Sequence, residues 1–157
     1  MVKHIREGID KVLKFVCSAM MALMSILVVY QVVVRYLFNA PSTFSEELMT
    51  YLFIWMSLLG GTYVYGKSEH MSMSFLYNKF SAKTKHVVDI LIQIIGFVFG
   101  AALLYGGTSI VRLTMNQQTP ALGVPMGYLY MVLPVCGAGI LAYSIMNLCD
   151  MMKESRG

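Results

Sequence analysis

The chain has 157 residues, 57% of them hydrophobic and 13% charged, with a formal net charge of +4 and a mean hydropathy of +0.66. A water-soluble domain carries about 25% charged residues, so this composition excludes an ordinary soluble domain and makes lipid the solvent for most of the surface. The three cysteines, Cys17, Cys136 and Cys149, fall in or at the ends of apolar runs with no extracellular pair to oxidise, and they read as free apolar fillers.

Formal charges are absent from residues 15–34, 48–66, 90–111 and 113–149, runs of 20, 19, 22 and 37 residues. A helix needs roughly 20 apolar residues to cross a bilayer. The last run is too long for one crossing, but its first part, LTMNQQTPALGVP, is polar and interrupted by Pro120 and Pro125, so its helix is expected from about Met126. The fold class is therefore an all-α membrane protein with four transmembrane helices. They are expected near 12–38, 44–66, 86–111 and 126–149, in one domain spanning 1–157.

In chain order, residues 1–14 form an amphipathic lead-in, with Ile5, Ile9, Val12 and Leu13 opposed to basic residues. It reads either as a short helix lying on the membrane surface or as a plain positively charged flank. The apolar run behind it exceeds the 7–15-residue core of a cleavable signal, and no A-x-A-like site comes after it, so a retained first helix is expected. Arg35 ends that helix, about 30 Å along from Phe15, where it reaches the outer interface. In the 67–85 loop, Met73, Leu76, Tyr77 and Phe80 share one helical face and suggest a short interfacial helix. Gly96 and Gly100 form a GxxxG pair, and Gly60, Gly61, Gly106, Gly107, Gly137 and Gly139 add smooth patches, serving this bundle or a partner's helices.

Ten of the twelve Lys and Arg residues lie in the N-terminal segment, the 67–85 loop and the C-terminus; Arg35 and Arg112 hold the other side alone. Positive segments stay in the cytoplasm, which puts both termini there and makes the net charge a topology signal. Nucleic acid is not an expected partner; membrane lipid is.

The four crossings carry no ionisable residue at membrane depth, where a carrier working alone usually keeps one. That argues against a small proton-coupled drug exporter. His4, His70 and His86 lack metal-ligand spacing, and no nucleophile–base pair or phosphate loop occurs, so neither an enzyme nor a metal or cofactor site is expected. Tyr36, Phe38, Phe44, Tyr51, Tyr128 and Tyr130 form an outer aromatic belt.

One stretch, FNAPSTFSEEL at 38–48, sets two adjacent acids between apolar helices. Thr43 and Glu46 fit a T-x-x-E capping box, and Glu46 and Glu47 put negative charge at the positive end of the second helix. That is a sufficient account of Glu46; Glu47 has less to do.

This stretch, together with FIWMSLLGG at 53–61 and EHM at 69–71, resembles the small membrane subunit, or Q subunit, of tripartite ATP-independent periplasmic (TRAP) transporters. Arg35, Asn39, Pro41, Glu46, Glu47, Trp55, Gly60, Gly61, His70 and Met71 match that family's pattern, as do Leu122, Pro125, Tyr130 and Pro134 at the entry to the last helix. Phe44 stands where the family commonly has Trp, and Gly66 where a basic residue often precedes the His, leaving Lys67 to carry that charge.

The resemblance implies a multi-pass protein of the bacterial inner membrane that scaffolds a large elevator-type membrane subunit. A periplasmic binding protein would deliver an organic anion, with sodium coupling in the large subunit. It also implies that Arg35 pairs with Glu46 or Glu47 to hold the first two helices in register or to present polar groups to the binding protein; a helix cap with solvated charge is the alternative. For His70 it implies either a positioning role in the cytoplasmic turn or a plain surface histidine. A tetraspan assembly protein and an autonomous small transporter are the competing classes. The substrate stays open among dicarboxylates, sialic acids and other organic acids.

Overall fold

A computed structural model of the chain describes residues 2–38, 42–71 and 82–154. It contains helices α1 (Val2–Leu37), α2 (Thr43–Met71), α3 (Ala82–Thr114), a single turn α4 (Gly127–Tyr130) and α5 (Val132–Glu154). Among the described residues, four segments are long and apolar enough to cross a membrane: Arg6–Leu37, Thr43–Lys67, Ile90–Thr114 and Gly127–Leu148.

The β-branched run ILVVYQVVV in α1 would favour a strand in water. In lipid every backbone N–H and C=O must be satisfied within the segment, and the helix does so without a partner. The amphipathic lead-in is not a separate surface helix. Its residues continue α1 without a break, giving 36 residues and about 54 Å of helix, well beyond the ~30 Å hydrocarbon thickness. The expected interfacial helix around Met73 to Phe80 lies outside the described residues.

The last crossing is split at Met131. Pro134 sits in the first turn of α5 and has no N–H to give to the Tyr130 carbonyl, so the ladder is interrupted where α4 passes into α5.

The helices form an open row in the spatial order α1, α2, α5, α3: α1 packs on α2, α2 on α5 and α5 most extensively on α3, with α4 bracing α3 and α5. Its centre is a small core of Leu59, Val132 and Cys136. Leu13, Val16, Cys17 and Met20 of α1 pack against it, together with Ile54, Trp55 and Leu58 of α2. The outer face of α1, including Ile26, Val29 and Val32, is exposed in the chain alone.

Close approach of α3 and α5 depends on missing side chains. A Cβ on Gly137 would come within 2.6 Å of the Leu104 nitrogen and 2.8 Å of the Gly100 carbonyl oxygen, and one on Gly107 would meet Pro134 at 2.7 Å. Gly100 belongs to the same crossing, against Ile140 and Gly137, whereas Gly96 makes room for the Tyr65 ring. The glycines thus divide, since a Cβ on Gly60, Gly61 or Gly106 would meet nothing within 4 Å.

Toward the chain termini, the row is laced by buried polar side chains. The Tyr65 hydroxyl donates to Gln93 Oε1 at 3.2 Å and shares a hydrogen bond of 2.8 Å with Ser144 Oγ, which joins α2, α3 and α5. Gln93, Ser144 and Asn147 are all buried. In lipid, such interhelical bonds add to the dispersion packing that holds helices together.

Candidate functional site at the hairpin end

At the end of the row opposite the termini, α2 begins beneath the 115–126 connection. Ser42 caps the helix: its carbonyl accepts the Glu46 N–H at 3.3 Å, and its hydroxyl oxygen lies 3.4 Å from the Ser45 nitrogen. The buried Ser45 hydroxyl donates back to the Ser42 carbonyl at 2.9 Å. The cap therefore lies one residue earlier than the expected Thr43 box, and Glu46, displaced from the third helical position, reaches across to α1 instead. There it accepts a hydrogen bond of 3.0 Å from Gln31 Nε2.

Glu47 does the longer-range work. Its Oε2 accepts the backbone N–H groups of Ala121 at 2.7 Å and Leu122 at 3.2 Å, while Oε1 accepts the Tyr51 hydroxyl. The connection it holds is a tight hairpin. Thr119 N–H donates to Val124 O at 2.9 Å, Val124 N–H to the Thr119 hydroxyl at 3.1 Å, and Gln118 bridges Pro125 in antiparallel fashion. Gly123 takes φ 64°, the left-handed conformation that lets Thr119 O receive the Gly123 N–H at 3.1 Å. The backbone donors at the hairpin tip point away from these internal bonds, and one carboxylate satisfies two of them.

Arg35 is exposed, and among the described residues no ion pair joins it to Glu46 or Glu47. The expected pairing is thus replaced: both acids are engaged by uncharged donors. Asn39 and Pro41 lie outside the described residues, as does the His70 side chain. Phe44 is half exposed beside the cap. Pro125 closes the hairpin bridge, and Tyr130 ends α4, partly buried. Trp55 is not at this rim but packs against the central core. Lys67, at the opposite end of α2, holds its ammonium 5.2 Å from the Tyr63 ring centroid.

Between α2 and the hairpin lies an open cavity of about 380 Å³ lined by Thr43, Glu46, Glu47, Thr50, Pro120 and Ala121. Its lining offers hydroxyl and carboxylate groups beside apolar ones, with Glu46 as the exposed acid. Among the described residues no cluster of His, Cys, Asp and Glu has the makings of a metal site. Sequence reasoning missed Gln31, Ser42 and Thr119 here. A Ser three residues ahead of Ser45 was a readable capping signal, while the Glu47 contact spans 74 residues of chain and had no local signature.

A bundle of this shape, with four apolar helices and its polar groups gathered at the two ends, defines a multi-pass membrane protein. The family model for tripartite ATP-independent periplasmic transporters, DctQ component, matches residues 24–154, and the chain belongs to that family. It is similar to a putative TRAP transporter small permease protein of Haemophilus influenzae, 31% identical over 148 residues covering 94% of this chain and 92% of that protein. It also resembles the sialic acid TRAP transporter small permease protein SiaQ of Vibrio cholerae, 24% identical over 97% of this chain and 88% of that one. The isethionate TRAP transporter permease protein DctMQ of Oleidesulfovibrio alaskensis aligns at 23% identity over 85% of this chain but only 22% of its own length. The family is one of transport subunits rather than enzymes.

Proposed function

We propose that this chain is the stationary scaffold of a sodium-coupled transporter in the bacterial inner membrane. It widens the fixed part of a large elevator-type subunit and helps a periplasmic binding protein dock. The observation that carries this reading is the DctMQ alignment, in which a region similar to 85% of this chain forms 22% of one longer permease. A scaffold also accounts for the chain's own chemistry. Apolar helix faces and outward-facing Gly60, Gly61 and Gly106 suit contact with other helices.

In this reading the termini lie in the cytoplasm, following the excess of Lys and Arg there, and the hairpin end with Glu46 and its cavity faces the periplasm and the binding protein. Sodium coupling belongs to the large subunit, and this chain carries no cofactor. The cargo class is an organic acid anion, in keeping with relatives named for sialic acid and isethionate.

Co-expression with the cognate large permease, followed by purification through a tag on this chain in mild detergent, tests the reading. A stoichiometric complex is expected. Recovery of this chain alone, with the large permease folded in the same membranes, would overturn it in favour of an independent tetraspan protein.

A further inference from the structure

Four residues near the chain termini tie three helices together. Tyr143 of α5 is fully buried, at 0% exposure, and its ring lies against Gly66 of α2. A Cβ at Gly66 would stand 2.5 Å from ring atoms Cε1 and Cζ, so only the absence of a side chain lets the ring pass α2. Beyond it, the Tyr143 hydroxyl donates to the Asp10 carboxylate of α1. Arg6, one turn earlier on the same face of α1, donates from Nη2 to the Gly66 carbonyl. Helices α1 and α5 are not adjacent in the row, yet the hydroxyl of Tyr143 reaches past α2 and bonds α1 directly.

The apolar packing of α1 is confined to a half-buried stripe that includes Leu13, Val16, Cys17 and Met20. No residue in the apolar window of its span is buried, against 39% for the last span. Burying such a surface in lipid gains little, because the bilayer solvates it as well as a neighbouring helix does. Polar links therefore carry an unusual share of the orientation of α1. At the hairpin end that link is the exposed contact of Gln31 with Glu46; at the terminal end it is the buried Tyr143 cluster.

We propose that Arg6, Asp10, Gly66 and Tyr143 form a bolt that fixes α1 against α2 and α5, so that the row behaves as one rigid plate. Gly66 and Tyr143 are a matched pair within it, because any side chain at residue 66 would meet the ring. The inference goes beyond the scaffold reading and does not depend on it, because every readout is of the purified chain.

Hydrogen exchange by mass spectrometry on the full chain in lipid nanodiscs tests it. Tyr143→Phe keeps the ring and removes only the donor; exchange over residues 6–14 is expected to quicken about tenfold, the scale of a lost bond to a charged group, with α3 peptides unchanged. Asp10→Ala should give the same increase, and the double variant no further one. Gly66→Ala should also loosen α1, while Gly66→Ala with Tyr143→Ala should exchange no faster than Tyr143→Ala alone. Unchanged exchange in Tyr143→Phe, or effects of Tyr143→Phe and Asp10→Ala that multiply as independent sites, would overturn the bolt.

Discussion

The carboxylate of Glu47, in the second turn of α2, holds the backbone N–H groups of Ala121 and Leu122 at the tip of the hairpin before α4. Two acids adjacent in sequence therefore have unlike roles: Glu47 fixes a loop 74 residues away, and the carboxylate of exposed Glu46 accepts from Gln31 of α1.

Glu47→Gln keeps the shape but replaces one acceptor oxygen with a donor that faces donors. Amide exchange at Ala121 and Leu122 should quicken several-fold, and the melting temperature of the purified chain should fall. Glu46→Gln should leave both unchanged, because Gln31 keeps an acceptor in reach. Arg35→Gln should likewise leave stability unchanged, alone and combined with Glu46→Gln, because among the described residues no ion pair joins Arg35 to either acid.

The register of the cap is testable by a pair of neighbours. Ser42→Ala should cost about 1 kcal/mol, the usual loss for a capping side chain, whereas Thr43→Ala at the first helical position should be close to neutral. Thermal unfolding of the two variants in one detergent distinguishes the observed cap from the Thr43 box.

Glycines at the α3–α5 crossing and those facing outward should separate cleanly. Gly137→Ala drives a methyl into backbone atoms at 2.6 and 2.8 Å, an overpacking that costs about 1–3 kcal/mol. Gly106→Ala meets nothing within 4 Å and should stabilise the isolated helix slightly. Its effect, with those of Gly60→Ala and Gly61→Ala, is expected in recovery of the large subunit rather than in the melting of this chain.

Tyr65→Phe removes the hydroxyl that joins Gln93 to Ser144. Interhelical hydrogen bonds in membranes average about 0.6 kcal/mol and reach about 1.7, so a modest fall in unfolding midpoint is expected. A fall well beyond that range would mean that the buried hydroxyl cluster is a dominant source of stability.

Charge-free runs made four helices legible, because the bilayer demands an apolar segment of fixed length and leaves the backbone little choice. Pro120 and Pro125 likewise marked the break before the last helix. What stayed hidden depends on which helices meet. The sequence placed the cap at Thr43, since a T-x-x-E pattern and the true S-x-x-S pair overlap by one residue. Nearness along the chain makes Arg35 a candidate partner for the acids, with a solvated charge as the alternative; Gln31, one turn earlier, is the residue that reaches Glu46. Gly66 has no local signature of its packing role, because the Tyr143 ring that lies against it comes from far along the chain in α5. Gln93, Ser144 and Asn147 are uncharged residues within apolar runs, and in lipid a buried amide or hydroxyl is itself a signal of helix contact.

The most direct test of the scaffold account is sodium-driven uptake into liposomes that hold the large permease, with the binding protein and its anion outside, in the presence and absence of this chain. The account predicts uptake only when all three proteins are present, and none in liposomes holding this chain without the large permease. Equal uptake by the large permease and binding protein without it, or uptake by this chain alone, would contradict the account.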